Sequence, residues 1–582
     1  MKKIVINLLS LKVPIITLLF LFLLSPIVFS YDIMPVDSVK AGMKGYGISV
    51  FGGNKVDTFS VEILGVLKKA GPDRQLIIAR LSGAGLEKTG IIAGMSGSPV
   101  FISNKIIGAV AYAWAFSIEP ITGITPIEEM LATKEDSFAQ ESGDAEFEIE
   151  GEGKTVPYSG IKLKKIRTPL SVSGFDDRLV KYIDDFFEGK GFSIVIGGSS
   201  AEEGREKDFL FPGSAVAARL VGGDASIGAI GTVSYIEGKD VYMFGHPLYY
   251  SGKTSIPMTT AYVYAILPSQ ESSFKIASTE KEIGAVIQDR GNAVYGELGR
   301  KAETVPFNVD IIKGKKRRSF HFDVVRHKEL TPFFLGILFS NAILTQGRAY
   351  GNLTISMDMN LKLENYPEVK LRNFFSGGNA YIQAMNDISD ILKLIFNDRF
   401  EKIKVSGIDI TASISEEERS YEIVNAKPEA FAVKRGSSVD IEVLLRGLKG
   451  KTRYEKFTLK IPETYTDSVA NVALVSAGAM IGLEMERVPD RFKTERKGQL
   501  FELLKLAPRN NVLYCLLLSR KVGVVMKGFE LSSLPSSMLR LLEGSQALGE
   551  GRFTKGSIVR RKEKECDFVV SGSKVITLKI TD

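Results

Sequence analysis

Residues 94–112 read GMSGSPVFISNKIIGAVAY, and the rest of the chain can be ordered around them. Glycines on both sides of Ser96 allow a sharp turn that would be strained for larger residues. A short β-type run follows from Val100 to Ile102, then a turn at Asn104-Lys105, then a second run from Ile106 that contains Gly108. Upstream, Ser60 to Leu67 (SVEILGVL) and Leu76 to Leu81 (LIIARL) are of strand length and rich in Val and Ile. These short runs, punctuated by glycine, predict an all-β unit. Downstream, Thr125-Pro126-Ile127-Glu128 has a capping threonine, a proline at the first helical position and a glutamate placed to reach back as in a capping box. A short helix is therefore expected to close this unit near Leu131.

The chain has 582 residues, 44% of them hydrophobic and 25% charged, which is a globular composition and enough for about three or four domains. Its formal charge is +7, and Lys2, Lys3 and Lys12 of the leader described next account for part of it, leaving about +4. So small and evenly spread a charge argues against a nucleic-acid partner. Glycine is abundant (56) and histidine scarce (3), which favours strands and tight turns and speaks against a multi-histidine metal centre. No metal and no cofactor is expected.

Residues 1–30, MKKIVINLLSLKVPIITLLFLFLLSPIVFS, have a basic start, an apolar run from Val13 to Leu24 and a short ending at Ser30. This is the pattern of a secretory signal peptide cleaved after Ser30, with an uncleaved membrane anchor as the other reading. Either way the chain is expected outside the cytoplasm, periplasmic or extracellular. Cys515 and Cys566 could then form one disulfide or stay as core thiols.

Composition shifts divide the remainder. A serine-bearing β-barrel at 31–131 is followed by an acidic linker at 132–156, in which eight acidic side chains lie between Lys134 and Lys154. A histidine-bearing β-barrel at 157–335 contains a hairpin, Gly231 to Tyr235 and Val241 to Phe244, around Glu237-Gly238-Lys239-Asp240. Its basic cluster, Lys313 to Arg318, reads as a solvated turn. Residues 336–420 hold a helix, Ala380 to Phe396, with Asn379 as its cap, and an alternating strand over Ile408 to Ile414. Alternation at Val439 to Leu445 and Phe457 to Ile461 predicts an immunoglobulin-like β-sandwich at 421–470, leaving a mixed region at 471–582.

The chemistry is concentrated at Gly94-Met95-Ser96-Gly97-Ser98-Pro99. A serine nucleophile needs a turn whose backbone N–H groups converge on the oxyanion formed when the hydroxyl attacks a carbonyl. The hexapeptide has the form G-x-S-G-x-P of the nucleophile turn in chymotrypsin-like proteases. On that mapping Ser96, rather than Ser98, is the nucleophile, and Gly94 and Ser96 supply the oxyanion N–H groups. Of the histidines, His321 and His327 lie in the charged stretch HFDVVRHKEL and read as surface or strand-face residues. His246, in Met243-Phe244-Gly245-His246-Pro247 at the end of a hairpin strand, is the candidate general base.

At these residues the sequence resembles the SpoIVB-type sporulation serine peptidases and their secreted bacterial relatives. The resemblance runs through Ala41-Gly42-Met43-Lys44-Gly45-Tyr46-Gly47, Glu87-Lys88-Thr89-Gly90, the GMSGSP turn and Thr125-Pro126-Ile127-Glu128-Glu129-Met130-Leu131. It continues through Pro212-Gly213-Ser214-Ala215-Val216, Gly231-Thr232-Val233, Phe244-Gly245-His246-Pro247 and Asp289-Arg290. It spans Met34 to Gly299, about half the chain, and implies a chymotrypsin-like double β-barrel with Ser96 as nucleophile and His246 as base. In the sporulation peptidase the histidine segment comes first; here Ser96 precedes His246, as if the barrels had been exchanged in order. The segment before Glu87 (LSGAGL) contains no carboxylate, so the acidic member of a triad is unassigned, with Asp73, Asp224 and Asp289 as candidates. No PDZ-like segment precedes the peptidase unit. Met95 stands where trypsin-like enzymes have aspartate, which excludes activation by a buried new N-terminus.

The expected fold is thus mainly β: a permuted double barrel, a helix, an immunoglobulin-like sandwich and a mixed C-terminal region. The expected function is an exported serine endopeptidase acting on a protein or peptide substrate, in the cell envelope, through an acyl-enzyme. Membrane attachment is expected only if the leader is retained. The alternative is an inactive envelope scaffold that keeps the fold. Gly151-Glu152-Gly153-Lys154-Thr155 and Gly252-Lys253-Thr254 lack the first glycine of a phosphate loop, so nucleotide binding is rejected. Trp114, the one tryptophan, is too little for a sugar-binding aromatic platform.

Overall fold

The structure, a computed structural model, describes residues 31–71, 74–114, 117–135, 164–198, 209–345, 351–398, 402–488, 498–526, 529–531, 534–543 and 552–581. The leader, Asp73, residues 136–156 of the acidic linker and the phosphate-loop-like Gly151 to Thr155 lie outside the described residues. Strand dominates, 54% against 18% helix, so the chain is mainly β. Two compact units divide it: Met1–Ser171 with Phe187–Arg219 and Gly228–Ala302, and Val172–Phe186 with Leu220–Ile227 and Glu303–Asp582.

The first unit begins with β1 (Lys44–Gly52), β2 (Lys55–Gly71), β3 (Arg74–Ser82), β4 (Pro99–Ile102), β5 (Lys105–Ala113) and β6 (Ile121–Pro126). They pair antiparallel in the order β1-β2-β3-β6-β5-β4, and β4 returns to β1 through Tyr46 opposite Phe101, closing a six-stranded barrel. Closure leaves no free edge among these strands. The interior is filled by Phe59, Val61, Ile63, Ile77, Val100 and Val110, each nearly inaccessible to solvent. At roughly 1.5–3 kcal/mol per fully buried large apolar side chain, this filling is what selects the barrel over other pairings of the same strands.

The chain continues through β7 (Lys164–Lys165), β8 (Thr168–Ser173), β9 (Phe192–Ile196), β10 (Ala215–Gly223), β11 (Ser226–Glu237) and β12 (Asp240–Met243). Three more strands follow: β13 (Gly252–Leu267), β14 (Phe274–Arg290) and β15 (Ala293–Leu298). The pairing order β10-β13-β14-β15-β12-β11, with β11 also paired to β10, returns on itself. The β11–β12 hairpin has the expected turn, with Glu237 opposite Asp240.

The TPIEE segment differs from the expected capping box. A helix does run from Ile127 to Leu131, but Pro126 occupies the cap position and no side chain caps it. The Thr125 hydroxyl instead donates to the Gly245 carbonyl (2.6 Å), and the Glu128 carboxylate accepts from the Val36 N–H (3.0 Å). Both groups found tertiary partners that local sequence could not announce.

In the second unit, β16 (Thr304–Lys313), β17 (Lys316–Val325), β18 (Leu353–Leu363), β19 (Val369–Gly377) and β20 (Val405–Ser415) form the run β19-β18-β20-β16-β17. The β16–β20 pair is parallel and the others antiparallel. The basic cluster sits at the β16–β17 turn, where Lys313 pairs with Glu416 and Arg317 with Asp310. The Ala380–Phe396 helix is present over its expected length, its first-turn amides bonded to the Asn379 carbonyl rather than capped by the Asn379 side chain. Sequence reading missed a second helix, Leu330–Leu344, which is apolar all round and buried along nearly its whole length. Without a polar face it shows no amphipathic period.

Beyond Ser420, a four-stranded and a five-stranded sheet share one core, which includes Ile441, Val443, Leu459, Val472, Leu513 and Leu578. The strands of this core extend to Ser573–Thr581, into the region expected to be mixed. Cys515 is buried in it and Cys566 is partly buried against it; both thiols are free. No helix among the described residues is long and apolar enough to cross a membrane.

Candidate active site

The GMSGSP turn is pinned at both ends. Met95 is wholly buried in the core of the first barrel. A hydrogen bond from Ser98 N–H to the Met95 carbonyl (2.8 Å) closes the turn across Ser96. Gly97 N–H donates to the Val110 carbonyl (2.8 Å), and Val110 N–H to the Ser98 carbonyl (2.9 Å), fastening the turn to β5. Gly97 has φ +94°, and a Cβ there would lie 2.1 Å from the Thr232 carbonyl oxygen and 2.6 Å from the Phe244 nitrogen. Only glycine fits.

Against this turn lies the segment that carries His246. Thr232 N–H donates to the Ser96 carbonyl (2.9 Å), and the Ser96 hydroxyl donates to the carbonyl oxygen of Phe244. Phe244 has φ +67°, in a three-residue turn closed by Gly245 N–H to the Met243 carbonyl (2.9 Å). A bulky residue in that conformation costs on the order of 1–3 kcal/mol, and here it presents a carbonyl to the serine. The Thr125 hydroxyl bond to Gly245 steadies the same turn.

His246 is only 1% exposed. Its Nδ1 lies 2.8 Å from the Pro247 carbonyl oxygen, and among the described residues no group meets hydrogen-bond geometry at its buried Nε2. A carbonyl can only accept, so Nδ1 carries the proton and Nε2 keeps its lone pair. Burial pushes the ring pKa down to about 4, opposed by the Pro247 and Ile166 backbone and assisted by the charge of Lys165. Because the unfolded chain takes up a proton near pH 6.5 and the folded ring only near 4, stability falls as pH drops through that window. The expected loss, on the order of 3 kcal/mol by pH 4, should shrink in His246→Gln when urea denaturation is followed at both ends of the window.

Of the candidate carboxylates, Asp289 is 1% exposed and accepts from the N–H groups of Leu248 (2.7 Å), Tyr249 (2.8 Å) and Ser251 (2.9 Å). It shapes the loop after His246 through the backbone; the ring nitrogens have the contacts given above. Burial raises its pKa even though those amides act to lower it. Asp289→Ala leaves three amides without their acceptor, and urea denaturation should register a loss of about 3 kcal/mol or more. Asp224, in the second unit, accepts from His321 N–H. His321 Nδ1 bonds the Asn308 side chain, and His327 Nδ1 accepts from Glu329 and Leu330 at the start of the Leu330–Leu344 helix.

The structure thus brings Ser96 and the His246 turn together, although the serine hydroxyl bonds Phe244 and not the imidazole. Ser96 is itself fully buried. Among the described residues, no acceptor is bonded to the N–H groups of Gly94 and Ser96. Sequence reading gave no role to three polar neighbours: Ser49 on β1, Thr232 on β11 and Lys275 on β14. Lys275 Nζ lies 3.0 Å from Ser49 Oγ and 3.4 Å from Thr232 Oγ1, with no exposure to solvent. A single lysine in FKIAS gives no signal of burial; only the alternation of β14 could have placed it inward.

No curated protein and no solved structure matches the chain. The family model of the SpoIVB peptidase S55 matches residues 30–131, which hold the closed barrel and Ser96. The likeness to SpoIVB-type sequences rests on this barrel, a fraction of the chain.

Proposed function

We propose that the chain is an exported serine endopeptidase in which Ser96 forms an acyl-enzyme and His246 acts as general base. The two barrel-forming strand sets are read as a chymotrypsin-like pair in exchanged order. The observation that carries the reading is the Ser96–Phe244 hydrogen bond, which joins the nucleophile turn to the histidine turn across 148 residues of chain. The family match over the serine-bearing barrel supports the same reaction class.

In the proposed mechanism the Ser96 hydroxyl leaves the Phe244 carbonyl and attacks a peptide carbonyl as its proton passes to His246 Nε2. The Gly94 and Ser96 N–H groups hold the oxyanion. The imidazolium then protonates the leaving amine, and water, deprotonated by the same nitrogen, releases the acyl group. The Pro247 carbonyl takes the orienting place of the missing acid by holding the tautomer with Nε2 unprotonated. The second reading is a non-catalytic scaffold, favoured by the burial of both Ser96 and His246.

Fluorophosphonate labelling of the purified mature chain separates the two. An adduct on Ser96 that is lost in Ser96→Ala and His246→Ala but retained in Ser98→Ala supports the peptidase. A folded wild-type chain that takes no label supports the scaffold.

A further inference from the structure

One buried amine lies behind the nucleophile turn. The Lys275 stem lies across Gly94, where a Cβ would sit 3.1 Å from Lys275 Cδ, and its backbone N–H donates to the Ala93 carbonyl (3.1 Å). Two hydroxyl arms run from its Nζ back to the turn. In the first, Ser98 Oγ lies 2.6 Å from the Met95 carbonyl and 3.0 Å from Ser49 Oγ. The Ser98 hydroxyl is the donor in both contacts, shared between the Met95 carbonyl and Ser49 Oγ, and Ser49 Oγ also accepts from Lys275 Nζ. In the second, Thr232 Oγ1 donates to the Gly94 carbonyl (2.9 Å) and accepts from Lys275.

Resting on the serine-peptidase reading, we infer that Lys275 is a positioning residue which, as a neutral amine, holds Gly94 through Thr232 and Ser98 through Ser49 and so sets the backbone around Ser96. A neutral amine has two N–H groups, one for each arm. An ammonium would bring a third donor and a full charge into a dry site. Among the described residues no charged group acts on it from β1, β11 or the turn; burial alone lowers its pKa, to about 7. The amine is not placed to touch substrate: its effect is on the direction of the Gly94 and Ser96 N–H groups.

The test uses fluorophosphonate labelling rates and peptide-resolved hydrogen exchange on the full mature chain. Lys275→Met keeps the stem and removes the amine, and should slow labelling of Ser96 on the order of a hundredfold at pH 8, the scale of a small misplacement of reacting groups. Ser49→Ala and Thr232→Val cut one arm each and should slow it about tenfold, while Thr232→Val added to Lys275→Met should cost little more. The wild-type rate should show an acid limb near pH 7, separate from that of His246 near 4, and Lys275→Met should lose the first limb only.

Labelling of Lys275→Met at the wild-type rate with an unchanged pH profile overturns the inference. Should Lys275→Met not fold, the two single-arm variants decide by the same rates. If the wild type forms no adduct on Ser96, the peptidase reading fails, and exchange decides the rest. Faster exchange at residues 95–98 in Lys275→Met still supports the positioning role, and unchanged exchange overturns it as well.

Discussion

Ser96→Ala is expected to abolish fluorophosphonate labelling and to lower any peptidase turnover by a factor on the order of 10⁴–10⁶, with the fold intact. Among the described residues the hydroxyl makes one hydrogen bond, to the Phe244 carbonyl, and the serine backbone is held independently by Thr232 N–H. Alanine therefore leaves the turn in place and removes only the attacking atom. The cost to stability should be about 1–3 kcal/mol, because the buried Phe244 carbonyl loses its donor. His246→Ala should lose nearly as much activity, since nucleophile and base act as a unit. Mass spectrometry of the adduct assigns the labelled serine. An adduct on Ser98 in the wild-type chain would refute the assignment of Ser96.

Gly97→Ala should give the largest loss of stability of any single substitution in the turn. Its Cβ would overlap two backbone atoms, the Thr232 carbonyl oxygen and the Phe244 nitrogen, and neither can move as the end of a flexible side chain could. The alanine would also adopt φ +94°. Overlap with backbone and a left-handed conformation add, so a destabilisation above about 3 kcal/mol is expected, enough to drop the melting temperature by many degrees. The Gly97 carbonyl accepts from Ser234 Oγ (2.8 Å), so moving the turn outward would break that bond too. Thermal denaturation of Gly97→Ala beside Gly53→Ala checks this: Gly53 also has positive φ (+64°) but nothing near its Cβ, so its effect should be confined to backbone strain. Equal losses in the two variants would remove the steric argument.

How far the site was legible depended on whether its residues announce themselves locally. Ser96, flanked by glycines and followed by two strands, was readable because a turn of that shape has few residue solutions. His246 was chosen as the candidate base partly by elimination among three histidines. Asp289 was among the candidates, but its task of holding three loop amides was not readable, since nothing in sequence couples it to Leu248, Tyr249 and Ser251. Lys275 was invisible: lysine is ordinarily solvated, and its burial beside Ser49 and Thr232 exists only once three separated strands meet.

The sequence by itself determined that the chain is mainly β, that the runs Ser60 to Leu67, Leu76 to Leu81, Val100 to Ile102 and Ile106 to Tyr112 are of strand type, and that Ser96 sits on a glycine-framed turn. Those features arise from periodicity and backbone permissiveness, which act over a few residues. Tertiary structure alone decided the closure of the barrel by β4 against β1, and the use of Thr125 and Glu128 as long-range ties in place of a helix cap. It also decided the hydrogen bond that joins Ser96 to Phe244. Each of these depends on atoms brought together from distant parts of the chain, where burial leaves a polar group no water and makes whichever partner the fold supplies the decisive one.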